Sequence, residues 1–244
     1  LLAWSIVLFA PTVVINGAYW GQSDVVYGGL LLGTVVMLLD GRQVTAMLLY
    51  GLACAIKLQA AWLGPFLLML VFRGELRWWL LGLIPAVYFL VALPTILVGR
   101  DVWEVATVYL AQAGTQWAIN YDAPSWLFFL HYFFWDVAAK PISDVLKVVA
   151  VILALGFAWW GTRSKAPQFD KETVLFAALL SVMLVPSFLP HMHNRYFFPA
   201  DLLAIALVIW MPRYWVLILT SQITSYVCYI AFLWGREMLQ APVP

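Results

Sequence analysis

Roughly eight or nine apolar runs, each long enough to enter a bilayer, fill most of this chain. They are Leu1–Val14, Val25–Leu39, Val44–Ile56, Ala60–Phe72, Trp78–Val98, Val145–Trp160, Thr173–Leu189, Leu202–Trp210 and Tyr214–Trp234. A chain built this way has one destination, a lipid bilayer. Only 10% of its 244 residues are charged, where a soluble domain carries about 25%. The expected fold is therefore all-α: a polytopic transmembrane helical protein forming a single transmembrane domain over residues 1–244. An extracytoplasmic loop over 100–144 is expected to carry a helix at the interface, Leu127–Trp135 ("LFFLHYFFW") being too short to span. A net charge of +1 leaves no basic surface for phosphate backbones, which excludes nucleic acid as a partner. The chain opens "LLAWSIVLFAP" with neither Met nor a charged leader. The expectation is that numbering begins inside a helix, with upstream helices and a first external loop preceding Leu1.

Basic residues give the division into segments a direction. If the loop at Arg42 is cytoplasmic and the sides alternate, the cytoplasmic loops hold Arg42; Arg73 and Arg77; Arg163, Lys165 and Lys171; and Arg213. The other side holds Lys57, Arg100, Lys140 and Arg195 over much longer stretches, with Arg236 at the tail. Reading Val44–Phe72 as one long helix would send Arg163, Lys165 and Lys171 outside. Two short segments turning at Lys57–Gln59 are expected instead. Each is about 20 Å long against a core of about 30 Å, so together they would leave a funnel open on the outer side.

That topology gathers the polar islands on one face. "NGAYWGQSD" (Asn16 to Asp24), "KLQ" (Lys57 to Gln59), the stretch 100–144 and "LPHMHNRYFFPAD" (Leu189 to Asp201) all fall outside. Ionisable groups at membrane depth are costly, so such islands read as functional by default. Asp24 precedes an apolar helix and suits either an N-cap or a carboxylate serving an acceptor hydroxyl or a divalent cation, with Asn16 and Gln22 nearby. Lys57 is either a lysine snorkelling to the interface or a cation waiting for an anionic headgroup. Arg195 offers a planar fork to phosphate, with His191 and His193 able to share the same oxygens, or else it snorkels beside Tyr196, Phe197 and Phe198. The two histidines alone do not complete a zinc site. Asp201 follows Pro199 at a helix start, where capping and catalysis both fit. Carboxylates interleaved with Trp and Tyr over 100–144 suit sugars.

Taken together, "NGAYWGQSDVVYGGLLL", "GLACAIKLQAAWLGP" and "LPHMHNRYFFPADLLAIAL" resemble one family. These are the bacterial membrane mannosyltransferase-like proteins related to the second mannosyltransferase of GPI-anchor biosynthesis, within the GT-C class of polyprenyl-phosphate-sugar glycosyltransferases. The order and spacing of W-G-Q-x-D, K-x-Q and M-H-x-R-Y carry the resemblance, from Asn16 to about Leu207.

The resemblance implies an inverting transfer of mannose or another hexose from a polyprenyl-phosphate donor, on the extracytoplasmic face of a bacterial plasma membrane. The acceptor, a glycan, lipid or protein, stays open. Asp24 is implied as the catalytic carboxylate, with a divalent cation (Mg2+ or Mn2+) as its optional helper. Lys57, Gln59, His191, His193, Arg195 and Tyr196 are implied for the donor phosphate, and Asn16, Trp20, Gly21 and Gln22 for acceptor or sugar. Two departures stand out. The class usually places its catalytic acid in the first external loop, which would precede Leu1, and Asn194 stands where the family often has Glu. A lipid or anionic-solute transporter, or a non-catalytic membrane subunit, are the competing expectations; polar residues lining both leaflets would mark the transporter.

Overall fold

A computed structural model describes residues 2–113, 118–133 and 139–234. Most of the described residues are helical. The helices are α1 (Leu2–Leu8), α2 (Pro11–Val13), α3 (Asp24–Leu39), α4 (Gln43–Ile56), α5 (Gly64–Phe72), α6 (Leu83–Leu97), α7 (Val102–Ala113), α8 (Leu127–Phe133), α9 (Ala139–Trp160), α10 (Lys171–Phe188), α11 (Phe198–Trp210) and α12 (Trp215–Trp234). A π-helical turn, Val14–Tyr19, continues α2, and 3-10 turns precede α5 (Leu58–Leu63) and α6 (Trp78–Gly82). Two short parallel strands, β1 (Asn120–Tyr121) and β2 (Met192–His193), pair Asn120 with Met192 and Tyr121 with His193.

Among the described residues, four helical stretches are long and apolar enough to cross a membrane: Trp78–Leu97, Pro141–Arg163, Lys171–Phe188 and Pro212–Trp234. The expected count of eight or nine membrane segments, shorter ones entering partway, is not confirmed by these four. The apolar stretches Asp24–Leu39, Gln43–Ile56 and Leu58–Phe72 are helical but shorter. At 1.5 Å per residue, 16- and 14-residue helices extend about 24 and 21 Å, less than a hydrocarbon core.

The helix break at Lys57 has a local cause. Its backbone is extended (φ −154°, ψ 132°), which ends α4 and starts the 3-10 turn in a new direction. The Gln43 amide donates to the Glu75 carbonyl at 2.8 Å, so the chain rises from Gln43 to Lys57 and returns. The short hairpin inferred from the charges is present.

The core lies where α3, α4, α5, α10 and α11 meet, around Tyr27, Leu31, Met47, Phe66, Leu67, Leu179, Val182 and Leu203, all buried. Gly28 sets the crossing of α3 and α11. A Cβ there would lie 2.9 Å from the Leu202 side chain and 3.1 Å from Phe198. That close approach presses the first turn of α3, which begins with Asp24, against the Arg195 end of α11.

The two ends of the bundle differ in kind. At one end, Arg73 is almost fully buried and ties the α9–α10 connection down. Its Nη1 donates to the carbonyls of Gly161 (3.0 Å) and Ser164 (3.2 Å) and its Nη2 to that of Ala166 (2.8 Å). Its Nε pairs with Glu75 at 2.6 Å, and its guanidinium lies 3.8 Å from the Phe169 ring centroid. Trp78, Trp79, Trp159, Trp160, Trp210 and Trp215 are exposed at this end, as an interfacial belt would be. The other end gathers the polar islands.

Candidate functional site

Four segments build the polar end. The π-helical turn contributes Asn16, the first residue of α3 contributes Asp24, the α4 break contributes Lys57, and the 3-10 turn Asn194–Phe197 contributes Arg195. π-turns recur at functional sites because the extra residue redirects a side chain; here Asn16 turns inward and is fully buried.

Asp24 is the centre. Its carboxylate is 0% exposed. Oδ2 accepts from Asn16 Nδ2 at 3.0 Å and lies 3.9 Å from Arg195 Nε, while Oδ1 is bonded by the Lys57 ammonium. Ser23, not Asp24, holds the N-cap position, and the bonds to the Asp24 carboxylate come from Asn16 and Lys57. Both oxygens face side chains brought from elsewhere in the chain. Burying three ionisable groups together is tolerable only when they are paired.

The cations are held by aromatic faces. Lys57 Nζ sits 5.4 Å from the Tyr27 ring, and the Arg195 guanidinium lies 5.4 Å from Trp20 and 5.7 Å from Tyr196. Burial pulls the Lys57 ammonium below its usual pKa, with Asp24 opposing that shift. Arg195 Nε is buried without a hydrogen-bond partner, as is Asn16 Oδ1. The first is a donor and the second an acceptor, and buried polar groups without partners are uncommon.

His193 and His191 have separate environments. His193 stacks on Tyr121 (4.6 Å, 18°) and meets Tyr196 edge-on (5.2 Å). Desolvation, helped by Arg195 and Lys57, brings its pKa down to about 4, so at neutral pH it is an uncharged donor and acceptor. His191 adopts the left-handed conformation, φ +66°. Its Nδ1 lies 2.6 Å from the Ala118 carbonyl and its Nε2 2.7 Å from Ser143 Oγ. A carbonyl only accepts, so Nδ1 carries the proton and Nε2 accepts from Ser143. Both ring nitrogens are engaged within the protein.

Tyr196 packs on Trp62 at 5.4 Å. Trp20 meets Tyr229 (5.7 Å) and Phe232 (4.9 Å) of α12. Gln22 is half-buried and its backbone N–H donates to the Asn16 carbonyl at 3.0 Å. Gly21 turns the chain at φ +67°. Asp201 lies inside α11, buried, and accepts from Ser225 Oγ at 3.1 Å; it ties α11 to α12 rather than capping. Of the acids over 100–144, Asp101 caps α7 through the N–H groups of Trp103 and Glu104 and Glu104 pairs with Arg100 on the surface. Asp136 lies outside the described residues.

A cleft of about 480 Å3 opens beside this cluster. Lys57, Gln59, Tyr196 and His191 line it with Tyr109 and Lys147, and Ile56, Leu58, Leu189 and Pro190 supply apolar wall. Tyr109 closes one side by donating its hydroxyl to the Cys54 carbonyl at 2.9 Å. Lys147, Tyr109 and Tyr121 were missed by sequence reasoning, since each sits in a stretch that looks like ordinary helix or loop.

The donors present do not suit a divalent cation. Asp24 already faces an ammonium and a guanidinium, and no cluster of three or more His, Cys, Asp or Glu occurs among the described residues. A hard cation needs several oxygen ligands, and here one compensated carboxylate stands among positive charges.

The fold is that of a mainly helical membrane protein whose polar end carries the buried Lys57–Asp24–Arg195 cluster. Glycosyltransferase family 87 matches residues 1–190, and the chain belongs to that family. It is thus a membrane glycosyltransferase. The match ends at Pro190, so His191, His193, Arg195 and Tyr196 lie beyond it. No curated protein and no solved structure matches the chain.

Proposed function

We propose that this protein is a GT-C-type enzyme that transfers a hexose, mannose by the resemblance of its motifs, from a polyprenyl-phosphate donor to an acceptor on the extracytoplasmic side of a bacterial plasma membrane. The single observation that carries this reading is the Lys57–Asp24–Arg195 cluster, whose Lys57 lines a cleft with apolar walls. A lipid-linked phosphate needs both halves, cations for its oxygens and apolar surface for its chain.

In the reaction, the acceptor hydroxyl oxygen bonds to the anomeric carbon as the bond from that carbon to the phosphate oxygen breaks. The hydroxyl proton passes to a base, and the lipid phosphate leaves with the electron pair. Negative charge grows on the leaving phosphate, so cations placed there stabilise the transition state more than the ground state. Arg195, with its planar fork, and Lys57 supply them. Asp24, buried and bonded on both oxygens, acts as a positioning residue that keeps the two cations side by side. His193, neutral between Tyr121 and Tyr196, offers a hydrogen bond without adding charge. The aromatic rings of Trp20 and Tyr196 form faces on which a sugar can rest.

The test is turnover of a polyprenyl-phosphate hexose by the protein in nanodiscs. Arg195→Ala should lower kcat/KM by roughly two orders of magnitude, the loss seen for one charge-assisted transition-state contact. Arg195→Lys should recover it only in part, because Lys offers a point charge where Arg offers two parallel bonds. Turnover unchanged in Arg195→Ala would overturn the assignment.

A further inference from the structure

The cleft contains a cation that none of the family motifs contains. Lys147 lies on α9, a helix whose sequence around it ("SDVLKVVAV") reads as the start of an ordinary span. Yet its side chain lines the same cleft as Lys57, Gln59 and Tyr196. Of the cleft's two lysines it is the more available. Lys57 is bonded to a fully buried carboxylate, so its ammonium is held in place by a partner within the protein. Among the described residues, Lys147 pairs with Asp144, at 3.2 Å, on a helical surface where both side chains are about half exposed. Such pairs are worth at most about 1 kcal/mol and exchange readily for a better anion.

Something also holds Lys147 in register. Ser143 and Lys147 are four residues apart on α9, so they lie on one helical face, one turn apart. Ser143 is buried and donates to His191 Nε2 at 2.7 Å. The other ring nitrogen of His191 is anchored on the Ala118 carbonyl, and its backbone N–H donates to the Ile119 carbonyl at 2.7 Å. The bond that fixes Ser143 against the segment after α10 therefore also fixes where Lys147 projects. The left-handed backbone at His191 is a conformation that costs a non-glycine residue energy and persists only where surrounding contacts enforce it.

We propose that Lys147 is an anion-binding residue of this cleft, positioned by the His191–Ser143 hydrogen bond, and that it takes a phosphate group carried on a lipid. The chemistry recognised is a phosphate monoanion or dianion; the apolar wall of Ile56, Leu58, Leu189 and Pro190 selects a lipid-borne phosphate over a free one. His191 is then a positioning residue, not a phosphate ligand, since both of its nitrogens are committed. This rests on the reading of the cleft as the donor's place and adds to it a residue and a mechanism of placement.

The experiment measures binding of a polyprenyl monophosphate, and separately of inorganic phosphate, to the protein in phosphatidylcholine nanodiscs. Lys147→Ala should weaken polyprenyl monophosphate binding roughly tenfold, the loss of one charge-assisted hydrogen bond, while Lys147→Arg should stay within about threefold of wild type. His191→Ala should weaken it similarly, and the His191→Ala/Lys147→Ala pair should be no weaker than Lys147→Ala alone, because two residues acting through one contact are not additive. Inorganic phosphate should bind far more weakly than the lipid in every variant. Wild-type affinity in Lys147→Ala, alongside a loss in Arg195→Ala, would sink this inference and leave the proposed function standing. No polyprenyl monophosphate binding by the wild type would overturn both. Equal binding of inorganic phosphate would overturn the lipid source.

Discussion

Lys57 and Asp24, 33 residues apart in sequence, share a hydrogen-bonded ion pair in which the carboxylate is fully buried and the lysine side chain is 17% exposed. The pair joins the end of α4 to the start of α3 at the polar rim. Removing one member leaves the other charged and desolvated, which costs about 3–5 kcal/mol.

Asp24→Asn should therefore lower thermal stability as well as activity. Asn can still accept from Asn16, yet it leaves the Lys57 ammonium without its counter-charge. Adding Lys57→Gln should restore much of the stability and none of the turnover. Thermal unfolding of the purified single and double variants in one detergent measures the coupling. A double variant as unstable as the sum of its singles would mean that the pair contributes nothing to the fold.

His193 predicts a pH dependence whose sign is fixed. Its folded pKa is lowered to about 4 from 6.5 by desolvation, Arg195 and Lys57. Between these values the unfolded chain binds a proton that the folded protein refuses, so stability rises with pH through that window and falls as pH drops toward 4. His191, lowered by burial, acts in the same sense. His193→Gln should flatten the stability profile between about pH 4 and 6.5. Profiles that superimpose would show that His193 titrates normally.

Much of this was legible for a simple reason. In so apolar a chain, each polar island stands out, and Asp24, Lys57 and Arg195 are among the few charges next to membrane-quality segments. The break at Lys57 could be read from charge alternation. What could not be read were partners supplied from afar. Ser143 reaches His191 over 48 residues and the Ala118 carbonyl reaches it over 73, with no local pattern to announce either. For Asp24 the sequence left a cap and a functional carboxylate both open; its three-dimensional neighbours show the carboxylate turned inward. Apolar runs also report burial: α3, α4 and α5 are apolar where they form the core while being shorter than a bilayer.

Arg73 carries a second lesson, since its charge reads as a topology signal while its side chain is 5% exposed and holds the α9–α10 connection. Arg73→Ala should cost on the order of 2–4 kcal/mol through lost charged hydrogen bonds and an orphaned Glu75. That corresponds to a fall in Tm of roughly 5–15 °C. Affinity for a polyprenyl monophosphate at the opposite end of the bundle should stay within about twofold. A large loss of affinity at unchanged Tm would contradict a purely structural staple.

The two ends of the bundle make sidedness testable with residues chosen for exposure. Asn120 and Asn194 are buried, so cysteines there would report packing rather than side. Ser23 and Val102 are exposed at or next to the polar end, and Ser164 and Gln168 are exposed in the loop held by Arg73. After replacing Cys54 and Cys228, both free thiols, single cysteines at Ser23 and Val102 should react with an impermeant maleimide in intact cells. Those at Ser164 and Gln168 should react only after permeabilisation. The Lys/Arg excess around Ser164 and Gln168 is what the cytoplasmic side retains, and a lipid-phosphate cleft facing outward would place the Lys57–Asp24–Arg195 cluster in the outer leaflet. Labelling of Ser164 and Gln168 in intact cells, with Ser23 and Val102 silent, would invert the protein and put the transfer reaction on the cytoplasmic face.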